Sequence, residues 1–121
     1  MKKIVVLGGG GFIGGHLAKR LKEEGNHVRI CDIKKHEYFF HDEICHEFIL
    51  GDLTDPKVVE LVIEEGVDEV YQLAADMGGA LYIFTGEHDA DVMYNSATIN
   101  LNVAREAVKK KVGKLFYSSS A

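Results

Sequence analysis

The sequence predicts an α/β fold: a doubly wound parallel sheet of the Rossmann type, with strands ordered 3-2-1-4-5 and the chain ending after the fifth. Three observations carry that prediction. Apolar runs rich in Val, Ile, Phe and Tyr alternate along the chain with segments of helical period. The runs are almost continuously apolar, as in strands covered on both faces. A glycine-rich turn beginning at Gly8 joins the first run to the first helical segment.

The strand-like runs are 3–7 (KIVVL), 27–33 (HVRICDI), 47–50 (EFIL), 68–74 (DEVYQLA) and 114–119 (KLFYSS). Between the first two, Ile13, Leu17 and Leu21 recur at helical spacing, and Gly25 supplies a C-cap. Asp55 followed by Pro56 is an N-cap with proline in the first turn, opening a helix to about Glu65 that Gly66 stops. Residues 91–111 form the longest helical pattern. Ile99, Val103 and Ala107 share one face of it, and Lys109, Lys110 and Lys111 complement the dipole in its last turn. Residues 34–46 and 76–90 have no regular period and are expected to be loops. Strands alternating with helices imply right-handed crossovers and a sheet covered on both sides.

Length and composition bound the possibilities. At 121 residues and 46% hydrophobic content, residues 1–121 suffice for one domain with a real core. No apolar run approaches the roughly 18 residues of a membrane span, and the N-terminus carries no signal-peptide pattern, so a soluble cytoplasmic protein is expected. The net charge of −5, with both signs mixed along the chain, argues against a nucleic-acid surface. Cys31 falls within a strand, so it and Cys45 are expected as free thiols. His36, His41, Cys45 and His46 lack the paired spacing of a zinc site, and no metal is expected. Glu87–His88–Asp89 is expected to be a solvated turn. Ser118, Ser119 and Ser120 lack the G-x-S-x-G elbow of a hydrolase.

Chemistry concentrates in the glycine turn. Gly8, Gly11 and Gly14 are spaced G-x-x-G-x-x-G. The first allows the tight turn, the second lets a pyrophosphate approach the backbone, and the third lets helix and strand pack closely. The helix N-terminus then offers free N–H groups to the phosphates. Gly9, Gly10 and Gly15 accompany these positions. Asp32, ending the second strand, has the place of a carboxylate that accepts from both ribose hydroxyls of an adenosine and repels a 2′-phosphate. That favours NAD over NADP, although Lys34 and Lys35 beside it could hold a phosphate. After the third strand, Asp52 could accept from the adenine amine and Leu53 could pack on the ring; a capping turn leading to Asp55 is the structural alternative.

These residues resemble a family. Gly8-x-x-Gly11-Phe12-Ile13-Gly14, Asp32, Gly51-Asp52-Leu53, Leu73-Ala74-Ala75 and the run Phe116 to Ala121 match in register the extended short-chain dehydrogenase/reductases, the NAD-dependent nucleotide-sugar epimerases and dehydratases. Within it, CDIKKHEYF (31–39), LAADMGGA (73–80) and MYN (93–95) are most similar to members that epimerise GDP-sugars. The resemblance implies NAD as cofactor and a nucleotide-sugar substrate, a GDP-sugar in first place. It puts the pyrophosphate at the backbone of Gly11, Phe12 and Ile13, the ribose at Asp32 with Lys34 beside it, and the adenine at Asp52 and Leu53. Leu73, Ala74 and Ala75 would line the nicotinamide half. Gly78 and Gly79 would let the sugar approach, and Ser120 would be the catalytic serine that hydrogen-bonds its hydroxyl. Family members commonly form homodimers, and an uncovered fifth strand would promote self-association.

There are departures. Leu7 stands where many members have threonine, Asn95–Ser96 replaces a pair of asparagines, and the 80–90 loop is slightly longer. The family's Tyr-x-x-x-Lys pair, which moves the hydroxyl proton, does not occur anywhere in the chain. The sequence therefore reads as the N-terminal portion of an NAD-binding domain, without the catalytic Tyr and Lys and without a substrate domain. A non-catalytic dinucleotide-binding module, or a relative acting on a UDP- or dTDP-sugar, is the alternative. The 121-residue protein is expected to return a GDP-sugar unchanged when incubated with NAD and analysed by chromatography. Measurable epimerisation would overturn that expectation.

Overall fold

The structure, a computed structural model, describes residues 1–35, 39–74 and 89–117, those at 89–96 by backbone alone. Strands β1 (Lys3–Leu7), β2 (His27–Asp32), β3 (Glu47–Leu50), β4 (Glu69–Gln72) and β5 (Lys114–Tyr117) alternate with helices α1 (Phe12–Glu23), α2 (His41–Ile44), α3 (Pro56–Val62) and α4 (Asp89–Lys109). All strand pairs are parallel and the order is β3-β2-β1-β4-β5, as the alternation predicts. Val5 sits between Arg29 and Val70, which in turn pair with Glu47 and Leu115.

The alternation of side chains along a strand divides the core into two layers. Ile4 and Val6 of β1 pack with Val28 and Ile30 against Ala18 and Leu21 of α1 and Ile44 of α2. Val5 and Leu7 face the other way, packing with Val70 against Val59 and Val62 of α3 and Ile99 and Val103 of α4. Every side chain from Ile4 to Leu7 is buried, which is why this strand reads as a continuous apolar run.

Element ends follow local chemistry. The Asp55 carboxylate accepts from the Lys57 N–H at 3.0 Å, capping α3 with Pro56 in its first turn. The helix stops at Val62, three residues before Glu65, where the glycine signal placed its end. The chain leaves the helix at Ile63, which is buried along with Val67, and Gly66 makes the turn at φ +92°. Lys110, one residue past the end of α4, donates to the carbonyls of Glu60 and Ile63, satisfying groups the shortened helix leaves open. The stretch 34–46, expected as loop throughout, contains the single turn α2, which carries Ile44 into the core below α1. Ile13 lies outside the apolar stripe its spacing suggested. It is 71% exposed, and the buried stripe is Gly14, Ala18 and Leu21.

The opposite end of the sheet is held by charge. Arg29, 8% exposed, donates through Nε to Glu47 at 2.8 Å, through Nη1 to the Val62 carbonyl at 3.0 Å and through Nη2 to Glu64 at 3.1 Å. A buried guanidinium persists only when its donors are so paired. Lys2 bridges to Glu69 at 2.9 Å, and that hydrogen bond holds the Glu69 carboxyl below its ordinary range.

Replacing fully buried Ile4 by alanine should cost roughly 2–5 kcal/mol in urea denaturation, whereas Leu61→Ala on the outer face of α3 should change stability by less than about 0.5 kcal/mol. Equal losses at the two positions would contradict this packing.

Candidate functional site

The site lies beyond the carboxyl ends of β1, β2 and β4. There the chain reverses its winding direction, with β2 and β3 on one side of β1 and β4 and β5 on the other. The backbone after β1 turns sharply: Gly8, at φ +88°, donates its N–H to the Cys31 carbonyl at 2.8 Å. A Cβ there would lie 2.7 Å from the backbone nitrogen of Ala74, so the ends of β1 and β4 touch main chain to main chain.

The other glycines divide into two kinds. A Cβ on Gly9 would fall 2.4 Å from Cγ2 of Ile30, one on Gly10 2.3 Å from the Lys34 carbonyl oxygen, and one on Gly14 2.3 Å from the Gly8 carbonyl oxygen. These positions exclude a side chain because the protein's own atoms fill the space. Gly9 and Gly10, which the G-x-x-G-x-x-G spacing leaves as companions, are therefore under the same steric constraint as Gly8 and Gly14. Gly11 differs: its Cβ would meet only the Gly8 carbonyl oxygen, at an ordinary 3.4 Å. Packing does not require a glycine there.

Gly11 is also the N-cap of α1, with no side chain capping the helix and no acid in its first turn. The first N–H groups of a helix have no intrahelical acceptor, so this end attracts an anion. Phe12 and Ile13 beside it are 67% and 71% exposed.

Asp32 faces the turn. Its Oδ2 accepts from the Gly10 N–H at 2.8 Å and its Oδ1 from the Ile33 N–H at 2.6 Å. Both bonds come from backbone, so the carboxylate is oriented with lone pairs to spare for a further donor. Lys34 follows, its side chain exposed and its carbonyl against Gly10. The Gly51 N–H donates to the Asp32 carbonyl at 3.0 Å, which brings the loop after β3 alongside. In that loop Asp52 is exposed, and its Oδ1 accepts from the N–H of Thr54 at 2.9 Å and from its hydroxyl at 2.7 Å. Leu53 has its side chain in the core, 3% exposed, so it presents mainly backbone to the site.

On the β4 side, Leu73 and Ala74 are half-buried against the glycine turn. They are fixed by Gln72, which sequence reasoning missed. Its amide, in a side chain 3% exposed, donates to the Ala74 carbonyl at 2.9 Å and accepts from the Ala74 N–H at 3.0 Å. It also donates to Asn100 Oδ1 at 2.9 Å, tying the strand end to α4. The available signal was an uncharged amide at the end of an otherwise buried strand. The structure thus brings Gly8, Gly11, Phe12, Ile13, Gly14, Asp32, Lys34, Asp52, Leu53, Leu73 and Ala74 to one end of the sheet, whereas Ala75, Gly78, Gly79 and Ser120 lie outside the described residues.

Among the described residues no group of His, Cys, Asp or Glu could hold a metal ion. His41 stacks on Phe48, and Nδ1 of His46 accepts from the Val28 N–H at 3.1 Å. Both cysteines are buried and free. Burial, with the charges of Asp32 and Asp52 adding to it, pushes the Cys31 thiol up to about 12; burial pushes Cys45 up to about 11.

Residues 4–121 match the model of the NAD dependent epimerase/dehydratase family. The chain belongs to that family. It is 44% identical to GDP-mannose 3,5-epimerase 1 of Oryza sativa subsp. japonica and 45% identical to GDP-mannose 3,5-epimerase of Arabidopsis thaliana, over 98% of its own length in each case. It spans 31% of the length of each of these relatives. Among solved structures it is similar to an epimerase of Methanothermobacter thermautotrophicus, with a TM-score of 0.78 and 30% identity over 99% of this chain and 35% of that one. The UDP-glucose 4-epimerase of Thermotoga maritima shares the fold at a TM-score of 0.80 and 24% identity, over 98% of this chain and 38% of that one.

The raised thiols should make both cysteines inert to iodoacetamide near pH 8 in the native protein, with both alkylated once urea unfolds it. Mass spectrometry reads the count, and fast labelling of the native chain would contradict their burial.

Proposed function

We propose that this chain is the NAD(H)-holding portion of a nucleotide-sugar epimerase, similar to GDP-mannose 3,5-epimerase, whose reaction passes a hydride transiently to NAD. Gly11 is the observation that carries the reading. Four neighbouring glycines are enforced by contacts within the protein, while Gly11 keeps an open flank at the uncapped start of α1. A pyrophosphate fits that flank, and a methyl group there would occupy its place.

The residues divide the work by position. The backbone at Gly11, Phe12 and Ile13 takes the pyrophosphate, and Gly8 and Gly14 permit the turn that presents it. Asp32, already aligned by two backbone donors, accepts from the adenosine ribose and disfavours a 2′-phosphate, with Lys34 beside it. Asp52 accepts from the adenine amine, and Leu53 meets the ring with its backbone. Leu73, Ala74 and Ala75 line the nicotinamide half, Gly78 and Gly79 admit the sugar, and Ser120 hydrogen-bonds the hydroxyl to be oxidised. When bound, NAD supplies a hydride acceptor at its nicotinamide. The proton at that hydroxyl needs a base, and without a Tyr-x-x-x-Lys pair this chain binds cofactor and does not turn over.

The identity to two plant GDP-mannose 3,5-epimerases supports a GDP-sugar as substrate of the whole enzyme. A second reading, a dinucleotide-binding module without catalysis, rests on the same uncapped helix start and aligned carboxylate. Both require the same cofactor site. No helix of the described residues is long and apolar enough to cross a membrane. Among the described residues β5 pairs only with β4, and its Phe116 and Tyr117 are 44% and 46% exposed, so this edge supports self-association or a homodimer.

Titration calorimetry should show NAD binding, weakened about tenfold or more by Asp32→Ala. Gly11→Ala should weaken NAD by a similar factor and leave stability within about 1 kcal/mol. Gly10→Ala should lower stability by roughly 1–3 kcal/mol, because Lys34 and Asp32 stand in the way. Unaltered NAD binding by Gly11→Ala would sink the reading of that open flank.

A further inference from the structure

α4 buries an amide that its apolar face does not need. Ile99, Val103 and Ala107 cover the sheet, yet Asn102 among them is only 6% exposed. Its Nδ2 donates twice, to the Leu53 carbonyl at 3.1 Å and to the Thr54 carbonyl at 3.2 Å. A buried amide is tolerated only when it is paired, and both bonds here go to consecutive carbonyls of one loop.

That loop carries Asp52. It is tied at its start to β2 by the Gly51 N–H on the Asp32 carbonyl. Within itself it is closed by the Thr54 bonds to the Asp52 carboxylate and by the Asp55 N–H on the Asp52 carbonyl at 3.0 Å. These bonds shape the loop and join it to β2. Asn102 is what fastens its far side to α4, 48 and 49 residues away in sequence. Without it, Leu53 keeps its apolar packing in the layer it shares with Ile99 and Val103, but the Leu53 and Thr54 carbonyls lose their bonds to the helix and Asp52 gains freedom to swing.

We infer that Asn102 is a positioning residue for the adenine end of the cofactor site: by clamping Leu53 and Thr54 to α4 it sets Asp52 where it reads the exocyclic amine. The inference rests on the assignment of Asp52 to the adenine in the proposed function. Asn102 does not touch the dinucleotide. Its effect appears as base discrimination, since a loop free to swing accepts other bases nearly as well. A role confined to stability lowers affinity for every dinucleotide by one common factor.

The test compares NAD with nicotinamide hypoxanthine dinucleotide, in which a carbonyl oxygen replaces the amine, by calorimetry on the 121-residue chain. The wild type should favour NAD by about tenfold or more. Asp52→Ala should reduce that ratio to about twofold or less, and so should Asn102→Leu, which fills the same space without donors. Asn102→Ser is read instead if the leucine variant fails to fold, as judged by thermal melting. Absence of discrimination in the wild type, or its survival in Asp52→Ala, overturns the adenine assignment and the inference with it. Discrimination that Asp52→Ala abolishes and the Asn102 variants retain overturns the inference alone.

Discussion

The structure depends on backbone meeting backbone where β1 turns into α1. Gly8 lies against the main chain of Leu73 and Ala74, Gly14 against Gly8, and Gly10 against the Lys34 carbonyl. No residue with a Cβ satisfies these approaches at 2.3–2.8 Å. The turn thereby fixes the spacing between three strand ends and the start of the first helix. A looser turn would separate α1 from the sheet and Asp32 from the Gly10 N–H it accepts. This end of the sheet has its shape because no side chain stands in the path of the turn at Gly8, Gly10 and Gly14.

Two kinds of order then converge on this end of the sheet. The apolar layers on either side of β1 hold the strands in register, and nothing in them is specific to a ligand. Polar bonds set the loops: Asp32 to the glycine turn, Gln72 to Ala74, and Asn102 to Leu53 and Thr54. Each replaces water at a backbone group that burial would otherwise leave unpaired. The same arrangement that satisfies the loops also aligns two carboxylates, Asp32 and Asp52, on one side of the site.

The strand order, the parallel sheet and the glycine turn were legible in the sequence because they follow from local pattern: apolar runs of strand length, helical period between them, and glycine at a strand end. Asp55–Pro56 announced α3 for the same reason, since a cap is a property of adjacent residues. The end of α3 was not legible. Gly66 marks the turn, but the helix yields earlier because Ile63 and Val67 gain burial by leaving it. Ile13 kept helical spacing yet is exposed, as period alone does not say which positions are covered. Gly9 and Gly10 gave no signal beyond composition, because the atoms they avoid come from Ile30 and Lys34, distant in sequence. Gln72 and Asn102 were invisible for a related reason: their partners include backbone groups, which every residue offers.

The dinucleotide proposed for this protein lies across the β1–β2–β4 ends. A backbone-amide NMR titration with NAD tests that placement most directly. Chemical-shift changes are expected at Gly11, Phe12 and Ile13, at Asp32, at Asp52 and Leu53, and at Ala74, with Lys2, Lys3 and Asp68 at the opposite end unmoved. Shifts gathered at that opposite end, or none at saturating NAD, would contradict it.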